Sequence, residues 1–289
     1  MRLDGRRESN NVDDRRGMGG RAKMGIGGGI VAVRIGVVLA VMSGGDVSDV
    51  LQNVDLSTMT APEQAEPHQF TPEEEELAKF SRQILAGTED VWTEVFRNMG
   101  KTYIPPKMVL YTGSVQTSCG NGSASMGPFY CSGDQSLYID LSFFSEMKKT
   151  LGADGDFAYA YVIAHEVGHH VEYLLGSLDK AHYQMAQMNK RDANRVSVRL
   201  ELLADFYAGV WAHHDNKMFA SLEDGDLEEA IRCAQVIGDN YLQEKAQGYS
   251  QPETFTHGTS AQRMKWLKLG LNTGDMSRGN TFELSDSQL

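Results

Sequence analysis

VIAHEVGHHVEY, Val162–Tyr173, places three histidines and two glutamates in twelve residues of an otherwise apolar run. Burying that much polarity in a helix is costly unless something satisfies it. Within the run, His165-Glu166-Val167-Gly168-His169 is the H-E-x-x-H pattern. Residues four apart share one helix face, so the two imidazoles converge and can bind one zinc ion, Zn2+. Glu166 sits one position round the helix, where its carboxylate can reach a water at the metal as general base. Val162, Ile163, Val167 and Val171 let the helix pack deeply, and Gly168 lets another element approach it closely. His170 is turned about 100° from His169 and reads as a packed or solvent-edge histidine.

A zinc site of this kind needs a third protein donor. The metzincin extension would require Gly and His where Glu172 and Leu175 stand, so that class is excluded. A glutamate from a later helix is the other common solution, and SVRLELLADFYAGVW (Ser197–Trp211) offers Glu201. The interval after His169 leaves room for a turn at Gly176 and an antiparallel helix back to the site. Asp205 lies four residues beyond Glu201, hence on the same face, where it can orient a zinc histidine from behind. The competing reading is a buried ion pair with Arg195 or Arg199.

Outward from this core, the 289 residues carry a net charge of −12, unevenly spread. The first 45 residues hold eight Lys/Arg and four Asp/Glu, and the remainder 19 and 35. The acidic body lacks the basic footprint that phosphate contacts need, which argues against nucleic acid as a partner. Residues 1–23 read as a polar, arginine-rich tail. Residues 24–42, almost wholly apolar, are long enough for a tilted transmembrane anchor, and residues 43–70 form a polar linker. Arg15, Arg16, Arg21 and Lys23 precede the apolar run and Asp46, Asp49 and Asp55 follow it. That bias predicts a single-pass protein of the inner (cell) membrane, with a cytoplasmic N-terminus and a periplasmic or extracellular body. Arg34 in mid-segment argues against a span, and a cleaved signal peptide is the rival reading.

The body, residues 71–289, reads as one α+β domain. Thr71-Pro72 followed by three glutamates starts a helix that runs to Asn98. Strands are expected at Met108–Tyr111, Gly127–Cys131 and Leu137–Leu141, the last as an edge along which an extended substrate lies. Ser118–Ser125 reads as turns. Helices follow over residues 155–175, 178–214 with a break near Asn189–Asn194, 226–247 and 260–271. Cys119 and Cys131 flank the turn-rich stretch and can be bridged if the body lies outside the cytoplasm; the alternative is free thiols. Cys233 reads as a core thiol, and His213-His214 as partners of helix-end carbonyls.

Long blocks of the chain are familiar: RRESNNVDDRRG, MGPFYC, YIDLSFF, LGADGDFAYAYVIAHEVGHHV, NRVSVRLELLADFYAGVW, GDLEEAI and FTHGTSAQR. In these the sequence resembles the neutral zinc metallopeptidase family, the YpfJ-like membrane-anchored proteins of bacteria, over nearly its whole length. The resemblance implies a zincin fold and a zinc-dependent hydrolase acting on a peptide or protein substrate. Distant similarity to thermolysin-type and HtpX-like enzymes implies Glu201 as the ligand and Asp205 as the carboxylate behind a zinc histidine. The HtpX-like enzymes carry a Thr-His-Pro block with a later Arg, which points to His257 or Arg263 as a donor to the oxyanion. Two departures stand out: Phe206 and the neighbourhood of Gly279 lack cysteines that the family pattern often carries, so a bridge between them is lost. Two other functions stay open: a non-proteolytic zinc-binding factor for peptide binding or envelope assembly, and a hydrolase of non-peptide amides. The intact Glu166 favours the peptidase, since a structural zinc has no use for it.

Overall fold

A computed structural model describes residues 1–17 and 69–289. Helix α1 (Pro72–Asn98) begins in a reciprocal cap: the Thr71 hydroxyl accepts from the Glu74 amide, and the Glu74 carboxylate accepts from the Thr71 amide. Its inner face sinks Ile84, Leu85, Trp92 and Phe96 into the main core. After Pro105-Pro106 come the strands β2 (Lys107–Tyr111), β3 (Ser114–Thr117), β4 (Gly120–Ser123), β5 (Phe129–Cys131) and β6 (Ser136–Asp140). One further strand, β1 (Val12–Asp14), precedes them all.

The main sheet has the order β1-β2-β6-β5, with β1, β2 and β6 parallel and β5 antiparallel to β6. The expected substrate edge is therefore misplaced. Strand β6 is paired on both sides, and the free edge next to it in the sheet order is that of β5. The turn-rich stretch is largely a hairpin, β3 against β4. A disulfide between Cys119 and Cys131 ties the hairpin's turn to β5.

Among the described residues, eight helices and this small mixed sheet make an α+β fold compatible with a zincin. After α2 (Ser142–Glu146) comes α3 (Asp156–Leu175), the helix of the H-E-x-x-H pattern. Gly176, at φ +82°, ends α3 in the left-handed region and turns the chain into α4 (Ser177–Met185). Asn189 then caps α5 (Lys190–Phe219) by accepting from the Asp192 amide. Next come α6 (Asp226–Val236) and α7 (Asp239–Gln247), broken apart at Gly238, and finally α8 (Ser260–Thr273). Helix α8 packs tightly on α5 because both are glycine at the crossing: a Cβ on Gly270 would lie 2.1 Å from the Phe206 carbonyl oxygen. His213 and His214 of α5 cap not their own helix but α8, at the carbonyls of Leu271 and Gly274.

The membrane topology expected from the sequence does not hold. Among the described residues no helix is long and apolar enough to cross a membrane, and residues 24–42 lie outside the described residues. Residues 1–17, expected as a cytoplasmic tail across the membrane from the body, are part of that body. Val12, Asp13 and Asp14 pair with Met108, Val109 and Leu110. Arg6 bonds the wholly buried Asp215 at 2.8 Å, Arg7 bonds Asp90 at 2.6 Å, and Arg16 pairs with Asp14 and Glu75 while covering the Phe70 ring. Of the residues that read as a flank, Arg15 and Arg16 are structural counter-charges, to Asp13 and to Asp14 and Glu75, and Arg21 and Lys23 lie outside the described residues. A single crossing between residue 17 and residue 69 would put these partners on opposite sides of a bilayer.

Candidate metal centre

Helices α3 and α5 build the site. They run antiparallel, since His165 meets Asp205 while His169 meets Glu201. Their axes come close because Gly168 has no side chain: a Cβ there would lie 2.8 Å from the Ala204 carbonyl oxygen. Four residues along each helix make one turn, so both pairs of polar side chains face the shared seam.

The two imidazoles are held from behind. His165 Nδ1 donates to Asp205 Oδ1 at 2.8 Å, and His169 Nδ1 donates to Glu172 Oε2 at 2.8 Å. A carboxylate only accepts, so each proton sits on Nδ1 and each Nε2 is left bare in the neutral ring. Both Nε2 atoms face Glu201: that of His165 lies 3.1 Å from Oε2 and that of His169 lies 3.5 Å from Oε1. Asp205 is itself fully occupied. It accepts from the Tyr161 hydroxyl at 2.5 Å and from Arg263 Nε and Nη2 at 2.8 and 2.9 Å.

The charges follow from burial and these contacts. Burial alone raises the Glu201 carboxyl, but the charges of His257, His169 and His165 hold it well below the usual range. Asp205, likewise opposed by burial, is brought to about 2 by Arg263 and His165. Burial depresses the His165 imidazole, yet Asp205 and Glu201 lift it to about 10, the mark of a pocket that favours positive charge. Glu166 is raised above the ordinary range, chiefly by burial, with His165 and His169 opposing.

This donor set fits zinc. His165, His169 and Glu201 offer two nitrogens and an oxygen within 4.8 Å of one another. Bonds of about 2.05 Å in a tetrahedron place donors about 3.3 Å apart, close to the 3.1 and 3.5 Å between the two Nε2 atoms and the Glu201 carboxylate. The three residues and Glu166 line one cavity of about 500 Å³, so an open position remains on the cavity side.

His257 lines the same cavity. Its Nδ1 lies 3.3 Å from Asp239 Oδ1 and 3.0 Å from Thr256 Oγ1. Arg263, the alternative donor, is committed to Asp205 on the Nδ1 side of His165, away from the Nε2 that faces Glu201. His170 is not at a solvent edge but wholly buried. Its Nε2–H donates to the Ile104 carbonyl at 2.7 Å, so Nδ1 accepts from the Tyr130 hydroxyl at 2.9 Å, fastening β5 to α3. Arg195 and Arg199 pair with Asp286 and leave Glu201 alone. The sequence reading missed Glu172 and Tyr161 as partners. Glu172 could have been found from its place three residues after His169, one turn along the same face.

The profile of the family described as "Putative neutral zinc metallopeptidase" matches residues 1–282. Over 289 aligned residues, 98% of this chain and 99% of the relative, the sequence is 48% identical to "Uncharacterized protein YpfJ" of Escherichia coli (strain K12). It is 41% identical over 194 residues, 64% of each chain, to "Uncharacterized protein Mb2605" of Mycobacterium bovis and to "Uncharacterized protein Rv2575" of Mycobacterium tuberculosis. No solved structure matches.

Proposed function

The chain belongs to the neutral zinc metallopeptidase family, and from that premise we propose that it is a zinc-dependent endopeptidase in which Glu166 is the general base. The observation that carries this reading is the convergence of His165, His169 and Glu201 beside a buried glutamate, at the wall of an open cavity. Zinc held by those three residues supplies Lewis acidity, which makes a water acidic near neutral pH and polarises a carbonyl oxygen.

Glu166 takes the proton from the attacking water and delivers it to the leaving nitrogen. Its raised proton affinity suits a base that must hold the proton between those two steps. Asp205 and Glu172 fix both histidines by their Nδ1–H groups, so the rings do not swing during turnover. His257 donates from Nε2 to the carbonyl oxygen as negative charge builds there. Its Nδ1–H faces Asp239, and Nε2 donates from the imidazolium, a form that burial opposes and the Asp239 carboxylate favours. The free edge of β5 is the place for an extended peptide, which would extend the sheet by one strand. Among the described residues lining the cavity, the charged groups are the site residues, two further histidines and Arg263, which is spent on Asp205. No group is left to hold a free chain terminus, which supports cleavage inside a chain.

The test is zinc analysis of the purified full chain together with a proteome-derived peptide cleavage screen, run beside Glu166→Gln. The expected result is one zinc per chain in both, with cleavage by the wild type lowered by orders of magnitude in the variant. A zinc-loaded wild type that cuts no peptide overturns the reading.

A further inference from the structure

Asp239, the first residue of α7, is wholly buried and turned toward the segment that carries His257. Its Oδ2 accepts from three successive amides, those of Thr256 at 2.8 Å, His257 at 2.7 Å and Gly258 at 3.0 Å. Its own amide donates to the Gly258 carbonyl at 2.9 Å. Gly258, at φ +94°, completes a turn that a side chain would strain. One oxygen of Asp239 therefore fixes the backbone on both sides of His257.

The other oxygen reaches the ring. Oδ1 lies 3.3 Å from His257 Nδ1. A carboxylate oxygen accepts and does not donate, so a hydrogen bond to Asp239 calls for a proton on Nδ1, which the Thr256 hydroxyl oxygen at 3.0 Å then also accepts. The imidazole nitrogens lie on opposite sides of the ring, so anchoring Nδ1 against α7 turns Nε2 away from it, toward the cavity shared with His165, Glu166 and Glu201. A neutral carbonyl or hydroxyl would serve the backbone turn alone. A carboxylate buried this completely costs several kcal/mol unless it is fully satisfied, and a surface turn has no need of it.

From this arrangement we infer that Asp239 is a positioning residue for the reaction: it sets both the backbone and the ring of His257 so that Nε2 meets the reacting carbonyl oxygen. The inference rests on the peptidase reading for its consequence and on geometry for its content. Asp239 touches neither substrate nor metal; it acts through His257.

The experiment uses Asp239→Asn in the full chain, with His257→Ala and the double variant. Asparagine keeps one oxygen for the three amides and sets an N–H donor opposite Nδ1. Melting temperature and zinc content should stay at wild-type values. Turnover should fall on the order of 10-fold with KM unchanged, because a charge-assisted donor is replaced by a neutral one. His257→Ala should fall further, about 100- to 1000-fold, and Asp239→Asn should add less than about 2-fold in that background if all its effect passes through the ring. An equal loss with and without the imidazole would make Asp239 a loop clamp only and overturn the inference. So would full turnover in Asp239→Asn. Nitrogen-15 spectra of the His257 ring in zinc-loaded protein read the same point without activity: the proton on Nδ1 in the wild type should leave it in Asp239→Asn. An identical ring signature in both overturns the positioning role. A wild type inactive on every peptide, with the spectral change present, overturns the peptidase reading and leaves the positioning intact.

Discussion

Gly168→Ala tests whether the metal donors depend on the closeness of α3 and α5. The added methyl would stand 2.8 Å from the Ala204 carbonyl oxygen and 3.0 Å from Ala204 Cα, both backbone atoms of α5. Ordinary contact begins near 3.4 Å, so the helices must part by roughly 0.6 Å. Overpacking of this kind costs about 1–3 kcal/mol. Alanine is better than glycine in a helix by about 1 kcal/mol, which offsets part of it. The net expectation is a loss of about 0–2 kcal/mol in zinc-free protein. The effect at the metal is larger, because His165 and His169 move with one helix and Glu201 with the other. Metal bonds tolerate about 0.2 Å, so a 0.6 Å displacement should lower zinc affinity on the order of 10- to 100-fold, comparable to losing a supporting hydrogen bond. Melting of zinc-free protein reads the packing term, and chelator competition reads the affinity. A variant about 1 kcal/mol more stable than wild type, with unchanged zinc affinity, would refute the reasoning.

Glu172→Ala should weaken zinc about 10- to 100-fold by releasing the His169 ring, read by chelator competition; unchanged affinity would remove Glu172 from the site's support. Deleting residues 1–17 strips β1 from β2 and leaves Asp215 buried without Arg6. Urea unfolding should then show a loss of about 3 kcal/mol or more, and wild-type stability of the chain lacking residues 1–17 would contradict the docked N-terminal segment. Burial pushes His170 down to about 4 from its ordinary 6.5. The unfolded chain takes up that proton first, so the stability of the neutral ring is complete above about pH 6.5 and is lost as pH falls toward 4, about 3 kcal/mol in all. His170→Gln should flatten that limb of the stability curve, and an unaltered limb would assign it to other groups.

The candidate site was legible because helical period alone puts His165 beside His169 and Glu201 beside Asp205, and both pairs lie in apolar runs. Helix limits were legible where the chain carries caps, as at Thr71 and Asn189. What was not legible depends on partners far off in the chain. Arg16 read as part of a basic flank, and Arg6 and Arg7 as part of a polar tail, because Glu75, Asp215 and Asp90 are dozens to hundreds of residues away. Strand β6 lies inside the sheet because β2 and β5 pair on its two sides, an order that no local pattern of residues shows. The β3–β4 hairpin is rich in glycine and serine, so its extended residues show no alternation of apolar side chains. Asp239 looks like an ordinary acid at a helix start, and only the fold brings residues 256–258 over it.

The docking of the N-terminal segment has a consequence in time. Synthesis is vectorial, so residues 1–17 leave the ribosome before the body they dock on. Arg6 meets its partner only after 209 more residues have been added. At about 5–20 residues per second that wait is roughly 10–40 s. Through that interval Arg6 faces the cell without Asp215, as Arg2 does without Glu223, while Arg7 and Arg16 wait a shorter time for Asp90 and Glu75. Residues 1–17 thus emerge as a peptide of five arginines and four acids, form a strand only once β2 has followed, and gain the Arg6–Asp215 pair only in a nearly finished body.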